Sequence, residues 1–213
     1  MDSKKGILVA IGGGSCSGKT TIADMIYQLL RKKLKVAILP QDNYYKPYKN
    51  KSMAQRKAIN FDHPDAFDWK LLWSHLDNLL MGKTVAVPMY DYVNYTRKKE
   101  TIEIGPLNVV ILEGLMPWFD ERIAKLCKLK IFVEATGEER LIRRIERDWE
   151  RGRDVASIIK QWREAVSPMY EIFVEKMKQK ADLIIPWSER HEVSTNVLDF
   201  AIEHLFRKHV DPN

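Results

Sequence analysis

Apolar and polar positions along this chain follow two alternating periods. Residues 7–12 form a short apolar run that stops in glycines, and 20–33 then carry Ile22, Met25, Ile26, Leu29 and Leu30 at helical spacing. The order is strand, loop, helix. Residues 36–40, 109–113, 130–134 and 183–186 are further short apolar runs that read as buried strands, and the spacing predicts helices over 68–81, 120–126, 138–149, 155–180 and 191–208. Strands alternating with helices predict an α/β fold, a parallel sheet of about five strands flanked by helices. One segment breaks the alternation. Residues 84–104 hold two strand-like runs around a polar, aromatic stretch, which predicts a β-hairpin inserted into the α/β core, where substrates are often held.

The sequence carries no internal repeat, low-complexity tract or Pro/Gly/Ser linker, so its 213 residues, 45% hydrophobic and 30% charged, predict one domain over 1–213. Lys and Arg number 35 against 29 Asp and Glu, and the net charge of +6 suits a polyanion such as nucleic acid or, equally, a small polyphosphate. The first apolar run breaks at Gly12 to Gly14, far short of a secretory core or a membrane span, so a cytoplasmic protein without a membrane partner is expected. Cys16 and Cys127 have neither zinc-ligand nor disulfide-framework spacing, which fits a reducing compartment.

Gly13-Gly14-Ser15-Cys16-Ser17-Gly18-Lys19-Thr20 matches G-x-x-x-x-G-K-[ST], after a predicted strand and at the start of a predicted helix, with Thr21 following. Glycines let backbone N–H groups converge on phosphate oxygens, Lys19 supplies a point charge to the β- and γ-phosphates, and Thr20 offers its hydroxyl to Mg²⁺. This is an ATP or GTP site. Cys16 sits in it as a small residue tolerated in a tight loop.

A P-loop metal needs a carboxylate at the carboxyl end of a core strand, and Asp42 and Glu113 both occupy such positions; the alternative is a solvated loop acid. Transfer to an alcohol also gains from a carboxylate that accepts the hydroxyl proton, and Asp42 is the candidate base. Tyr44 and Tyr45 beside it offer a wall for a flat ring or ordinary loop packing. Further on, Arg140, Arg143, Arg144, Arg147, Arg151 and Arg153 crowd 138–153 at three- and four-residue spacing. They read as a lid helix that brings arginines to transferring phosphates, or as a salt-bridged face, since Glu138, Glu139, Glu146, Asp148 and Glu150 are interspersed. Those acids make a poor stripe for nucleic acid.

Four blocks go beyond a generic P-loop protein: Gln41-Asp42-Asn43-Tyr44-Tyr45, the run from Asn60 to Asp68, Pro88-Met89-Tyr90-Asp91-Tyr92, and Arg151-Gly152-Arg153-Asp154. On them the chain resembles the uridine/cytidine kinase family over nearly its whole length. The resemblance implies Mg²⁺-dependent transfer from ATP to the 5′-hydroxyl of uridine or cytidine in pyrimidine salvage, by a homotetramer. It implies that Asp42 is the general base, that Lys19, Thr20 and Glu113 serve ATP and magnesium, and that Asp62 holds the ribose hydroxyls. Arg144 and Gln161 then lie near the sugar, Arg153 near the base, and Tyr45, Phe61, Tyr90 and Tyr92 form an aromatic cage, with Arg147 and Arg151 facing phosphate.

Three departures stand out. Tyr95 replaces a frequent histidine beside the exocyclic group of the base, which predicts a bias toward cytidine. The stretch between Arg147 and Arg151 is one residue shorter than the family pattern. Trp187-Ser188 follows the last strand where the family tends toward Arg-Gly. The other readings are a related kinase of a different alcohol, such as a sugar phosphate or pantothenate, and a nucleotide-binding regulator.

Overall fold

Val9 and Ile11 on one side of the first strand, and Leu8 and Ala10 on the other, are all buried, which is why that run shows no polar alternation. The computed structural model describes residues 6–187, 196–202, 204 and 206. In chain order the elements are β1 (Ile7–Gly12), α1 (Lys19–Leu30), β2 (Val36–Pro40), α2 (Met53–Lys57), α3 (Trp69–Leu80), β3 (Val85–Asp91), β4 (Thr96–Ile104), β5 (Val109–Gly114), α4 (Glu121–Ala124), β6 (Cys127–Glu134), α5 (Gly137–Glu150), α6 (Val155–Gln161) and β7 (Leu183–Pro186). The main sheet is five-stranded and parallel throughout, in the order β2-β5-β1-β6-β7. The order reverses about β1, so a crevice opens beyond the carboxyl ends of the central strands, where ligands of such sheets bind.

One face of the sheet packs Val9, Ile11, Val109, Ile111, Ile131 and Val133 on Ile22, Ile26 and Leu30 of α1 and on Leu198, Ile202 and Phe206. The opposite face packs Leu8, Val110 and Leu112 on Leu72, Leu76 and Leu79 of α3. β3 and β4 form the separate antiparallel hairpin expected over 84–104, held to the domain by Val85 and Val87, which enter this second core. No helix among the described residues is long and apolar enough to cross a membrane.

The strands lie where periodicity places them, with β6 starting earlier, at Cys127. The helix expected over 120–126 is the single turn of α4, which Asp120 caps. α2 was not anticipated, although Ser52 and Gln55 form a capping box at its start. The helix expected over 155–180 is one helical rod with irregular turns: α6 continues through π turns at Trp162–Val166 and Tyr170–Val174, a short α turn between them, and a 3₁₀ stretch at Glu175–Lys180. Of the helix expected over 191–208, residues 196–202, 204 and 206 are helical and the others, like Ser188, lie outside the described residues.

Candidate active site at the carboxyl edge of the sheet

The loop after β1 turns through Gly13 at φ 148° and Gly18 at φ 101°, with Cys16 also in the left-handed region at φ 61°. A Cβ on Gly13 would lie 2.4 Å from the Val133 carbonyl oxygen, and one on Gly18 would lie 2.2 Å from the Trp187 indole. The loop is thus seated between β6 and the residue that follows β7. Lys19, the first residue of α1, is buried, and its Nζ donates to the Gly14 carbonyl at 2.7 Å. Burial holds its pKa below the ordinary lysine value, although Glu113 and Asp42 pull the other way.

β2 and β5 are in register, with Pro40 beside Glu113, so Asp42 and Glu113 leave adjacent strand ends on the side that faces Lys19. Gln41 pins this corner: it is fully buried, accepts from the Met116 N–H at 3.0 Å and donates to the Met116 carbonyl at 3.3 Å. A Cβ on Gly114 would lie 2.3 Å from Gln41 Oε1 and 2.4 Å from its Cβ. Gly114→Ala is therefore expected to cost about 1–3 kcal/mol of stability and to lower turnover, since Asp42 must move with Gln41. A thermal midpoint and rate equal to the wild type's would show that Gln41 does not fix the corner.

Three carboxyls share this space. Burial raises Asp42 above the ordinary value, against the attraction of Lys19 and the hydrogen bonds of Tyr45 and Tyr92. Burial also raises Asp62 and Glu113, with added repulsion from Asp42 on each. Desolvation outweighs the attraction of Lys19 on all three and of Arg144 on Asp62. The oxygen donors Thr20, Asp42 and Glu113 suit Mg²⁺, a hard cation usually bound by one or two carboxylates together with substrate phosphates. Among the described residues no group of three or more His, Cys, Asp or Glu forms a metal cage of its own.

Aromatic rings close the other side. Tyr45 stacks on Phe67 at 4.5 Å and meets Phe61 and Tyr90 edge to face at 5.0 and 5.1 Å, while Tyr95 stacks on Phe61 at 6.0 Å. The hairpin is tied over Asp42 at two points: the Tyr90 N–H donates to Asn43 Oδ1 and the Tyr92 hydroxyl donates to Asp42 Oδ2, each at 3.3 Å. Tyr95 occupies the left-handed region at φ 50° in the hairpin turn. The Tyr90 hydroxyl is buried within the cage and has no hydrogen-bond partner among the described residues.

The fourth wall is α5, opened by a capping box between Thr136 and Glu139. Its buried stripe is Arg140, Arg144 and Asp148, at i, i+4 and i+8, where a globular helix ordinarily buries apolar residues. Arg144 donates to Ser15 Oγ at 2.9 Å and to Gln161 Oε1 at 3.0 Å, and Arg153 donates to the same Gln161 oxygen at 2.9 Å. Asp148, 3% exposed, accepts from Arg147 and Arg153 at 2.9 Å and has Arg144 Nε at 3.7 Å. Gly152 at φ 81° ends the helix, the Gly152 and Arg153 N–H groups donating to the Trp149 and Asp148 carbonyls. That reversal returns Arg153 to Asp148 despite the shortened connection. Arg151 is exposed and outside the cluster; Arg143 turns away to the Trp187 carbonyl at 3.3 Å.

The structure thus brings together Lys19, Asp42, Asp62, Glu113, the aromatic cage, Arg144, Arg147, Arg153 and Gln161. Sequence reasoning missed the organising role of Asp148, treating it as one acid among several; its signal is the i,i+4 spacing to Arg144 beside the adjacent Arg147.

A family model described as phosphoribulokinase/uridine kinase matches residues 8–194. A uridine kinase of Mycoplasma genitalium is 74% identical over 210 residues, 99% of each chain, and one of Lactobacillus johnsonii is 45% identical over 206 residues, 96% of this chain and 98% of that one. In fold, the solved structure of phosphoribulokinase from Rhodobacter spheroides superposes with a TM-score of 0.64 at 18% identity, over 86% of this chain and 71% of that one. With its P-loop intact and that identity sustained over its length, the chain is a kinase and belongs to the phosphoribulokinase/uridine kinase family.

Proposed function

We propose that the protein phosphorylates the 5′-hydroxyl of uridine and cytidine, with ATP, or GTP in its place, as donor and with Mg²⁺. The observation that carries this is Asp42, a half-buried carboxylate set between the P-loop lysine on one side and an aromatic cage on the other. A sugar phosphate has no flat aromatic ring for such a cage to stack, which disfavours the related alcohol kinases. The relatives that match over nearly their whole length are named uridine kinases. The same reading takes residues 1–213 as one domain of a cytoplasmic homotetramer in pyrimidine salvage.

In this reading Asp42 accepts the 5′-hydroxyl proton as the oxygen attacks the γ-phosphorus in line. The P-loop residues Gly13 to Thr21 hold the triphosphate, and Lys19 leaves the Gly14 carbonyl to meet its outer phosphates. Thr20, Glu113 and Asp42 offer oxygens to Mg²⁺, which neutralises charge on the phosphates when bound. Arg147 and Arg151 face the transferring group, with Arg151 carried inward by lid closure. Asp62 accepts both ribose hydroxyls, Arg144 and Gln161 border the sugar, Arg153 and Tyr95 border the base, and Tyr45, Phe61, Tyr90 and Tyr92 enclose its ring.

A coupled ADP-release assay tests each part. Cytidine and uridine are expected to turn over, cytidine with the larger kcat/KM because of Tyr95. Deoxycytidine is expected to fall by about 10⁴-fold, since it lacks one of the two hydroxyls that the half-buried Asp62 would accept. Equal rates for uridine and cytidine would sink the bias, equal rates for cytidine and deoxycytidine would sink the role of Asp62, and turnover of no nucleoside would sink the acceptor.

A further inference from the structure

Arg140 differs from its neighbours on the lid helix. Arg144, Arg147 and Arg153 have side-chain acceptors, whereas Arg140, 3% exposed, keeps Nε and Nη1 buried without a hydrogen-bond partner among the described residues. Its Cζ lies 3.8 Å from the Tyr170 ring centroid and 5.2 Å from that of Trp162. Those rings begin the two π turns of the helical rod, at Trp162–Val166 and Tyr170–Val174. Widened turns of this kind are rare and concentrate at functional sites; here both deliver an aromatic face to one guanidinium.

The same guanidinium fills the space beside the second P-loop residue. A Cβ on Gly14 would lie 2.2 Å from Arg140 Nη1 and 2.8 Å from Cζ. Its charge is felt across the loop, where it opposes protonation of Lys19. Aromatic faces offset part of the cost of a buried cation, but among the described residues no carboxylate forms an ion pair with Arg140. A triphosphate cradled by the loop would supply the missing negative charge in a poorly screened space.

We infer that Arg140 is a positioning residue for the phosphate donor: a cation built in behind the P-loop, gripped by Trp162 and Tyr170, that draws the triphosphate into the loop by charge and keeps Gly14 free of a side chain. The inference rests on the proposed seat of the donor in the P-loop. It separates donor affinity from nucleoside affinity, because Arg140 touches the loop and not the aromatic cage.

The test titrates Mg·ATP into the ligand-free wild type, Arg140→Met and Arg140→Lys, and measures KM for ATP and for cytidine with the thermal midpoint of each unliganded protein. Arg140→Met is expected to weaken ATP about tenfold or more, Arg140→Lys to stay within about threefold of the wild type, and KM for cytidine to stay within about twofold. The unliganded Arg140→Met midpoint is expected to equal or exceed the wild type's, since burial of the charge outweighs the more distant attraction of Glu175 and Glu138. A purely structural strut gives the opposite pattern, a lower midpoint with unchanged ATP affinity, and would overturn the inference. If Arg140→Met does not fold, a tenfold loss of ATP affinity in Arg140→Lys overturns it as well. Wild-type protein that fails to bind Mg·ATP ends the reading beneath it; wild-type binding matched by Arg140→Met ends this inference alone.

Discussion

Asp42→Asn is expected to lower kcat by about 10²–10⁴-fold, the usual contribution of a positioned general base, and at the same time to raise the thermal midpoint of the unliganded protein near neutral pH. The second effect follows from burial, which holds the Asp42 carboxyl above its ordinary value of 3.8. A group whose pKa is raised by folding stabilises the fold fully below its unfolded value and loses that contribution as pH rises through its folded value. Ionised Asp42 therefore weighs against folding at neutral pH, and it also repels Asp62 and Glu113. Asparagine removes both penalties at nearly constant shape. The midpoint gain should shrink as pH falls through the raised pKa of the wild-type carboxyl, which is then protonated too.

The rate carries the same signature. For the wild type the acid limb of kcat/KM should lie above the ordinary carboxylate range, because kcat/KM reports the free enzyme, in which Asp42, Asp62 and Glu113 are all raised. Asp42→Asn with near-wild-type kcat would remove Asp42 as the base; a lower midpoint would mean that its bonds from Tyr92 and Tyr45 outweigh its desolvation. Bound Mg²⁺ and triphosphate stabilise the loaded protein by mass action, so an unliganded site under internal repulsion is consistent with a functional one.

Most of this architecture is legible from residue patterning, and the misses have physical causes. Buried strands such as Ile7–Gly12 announce themselves because both faces are apolar, and the P-loop because few other sequences make that turn. Positions after strand ends locate Asp42 and Glu113 because in a parallel sheet all those ends share one edge. The aromatic cage is another matter. Tyr45, Phe61, Tyr90 and Tyr92 come from a turn, a loop and a hairpin, and nothing in periodicity says that they meet; family resemblance supplied that. α5 defeats pattern reading more directly, since its buried stripe is Arg140, Arg144 and Asp148 and a search for an apolar face points elsewhere. The π turns of the rod are silent as well, because 155–180 keeps a helical spacing whether a turn has one residue more or not.

Asp148→Asn is expected to disorganise the lid, costing roughly 3–5 kcal/mol of local stability, the usual effect of removing one partner from a buried ion pair. Arg140 and Arg144 lie against the P-loop at Gly14 and Ser15, and Arg144, Arg147 and Arg153 gather on Asp148, the buried acid among them. Like charges about 4 Å apart at an effective dielectric near 20 repel by about 4 kcal/mol, so three guanidiniums gathered on one carboxylate separate when it becomes an amide. Arg147 and Arg153 are partly exposed and reach solvent easily. Arg144 is not, and it holds both Ser15 of the P-loop and Gln161 of the rod. Loss of the acid should then raise KM for the nucleoside, through Arg144, Arg153 and Gln161, and lower kcat, through Arg147, a combined drop in kcat/KM of about 10²-fold or more. Asp148→Glu keeps the charge with one methylene too many and should recover part of kcat but little of the nucleoside KM. Equal kinetics for the wild type and Asp148→Asn would mean that the arginines hold their places through Gln161 and Ser15 alone, leaving Asp148 as a helix-terminal acid with no part in presenting them.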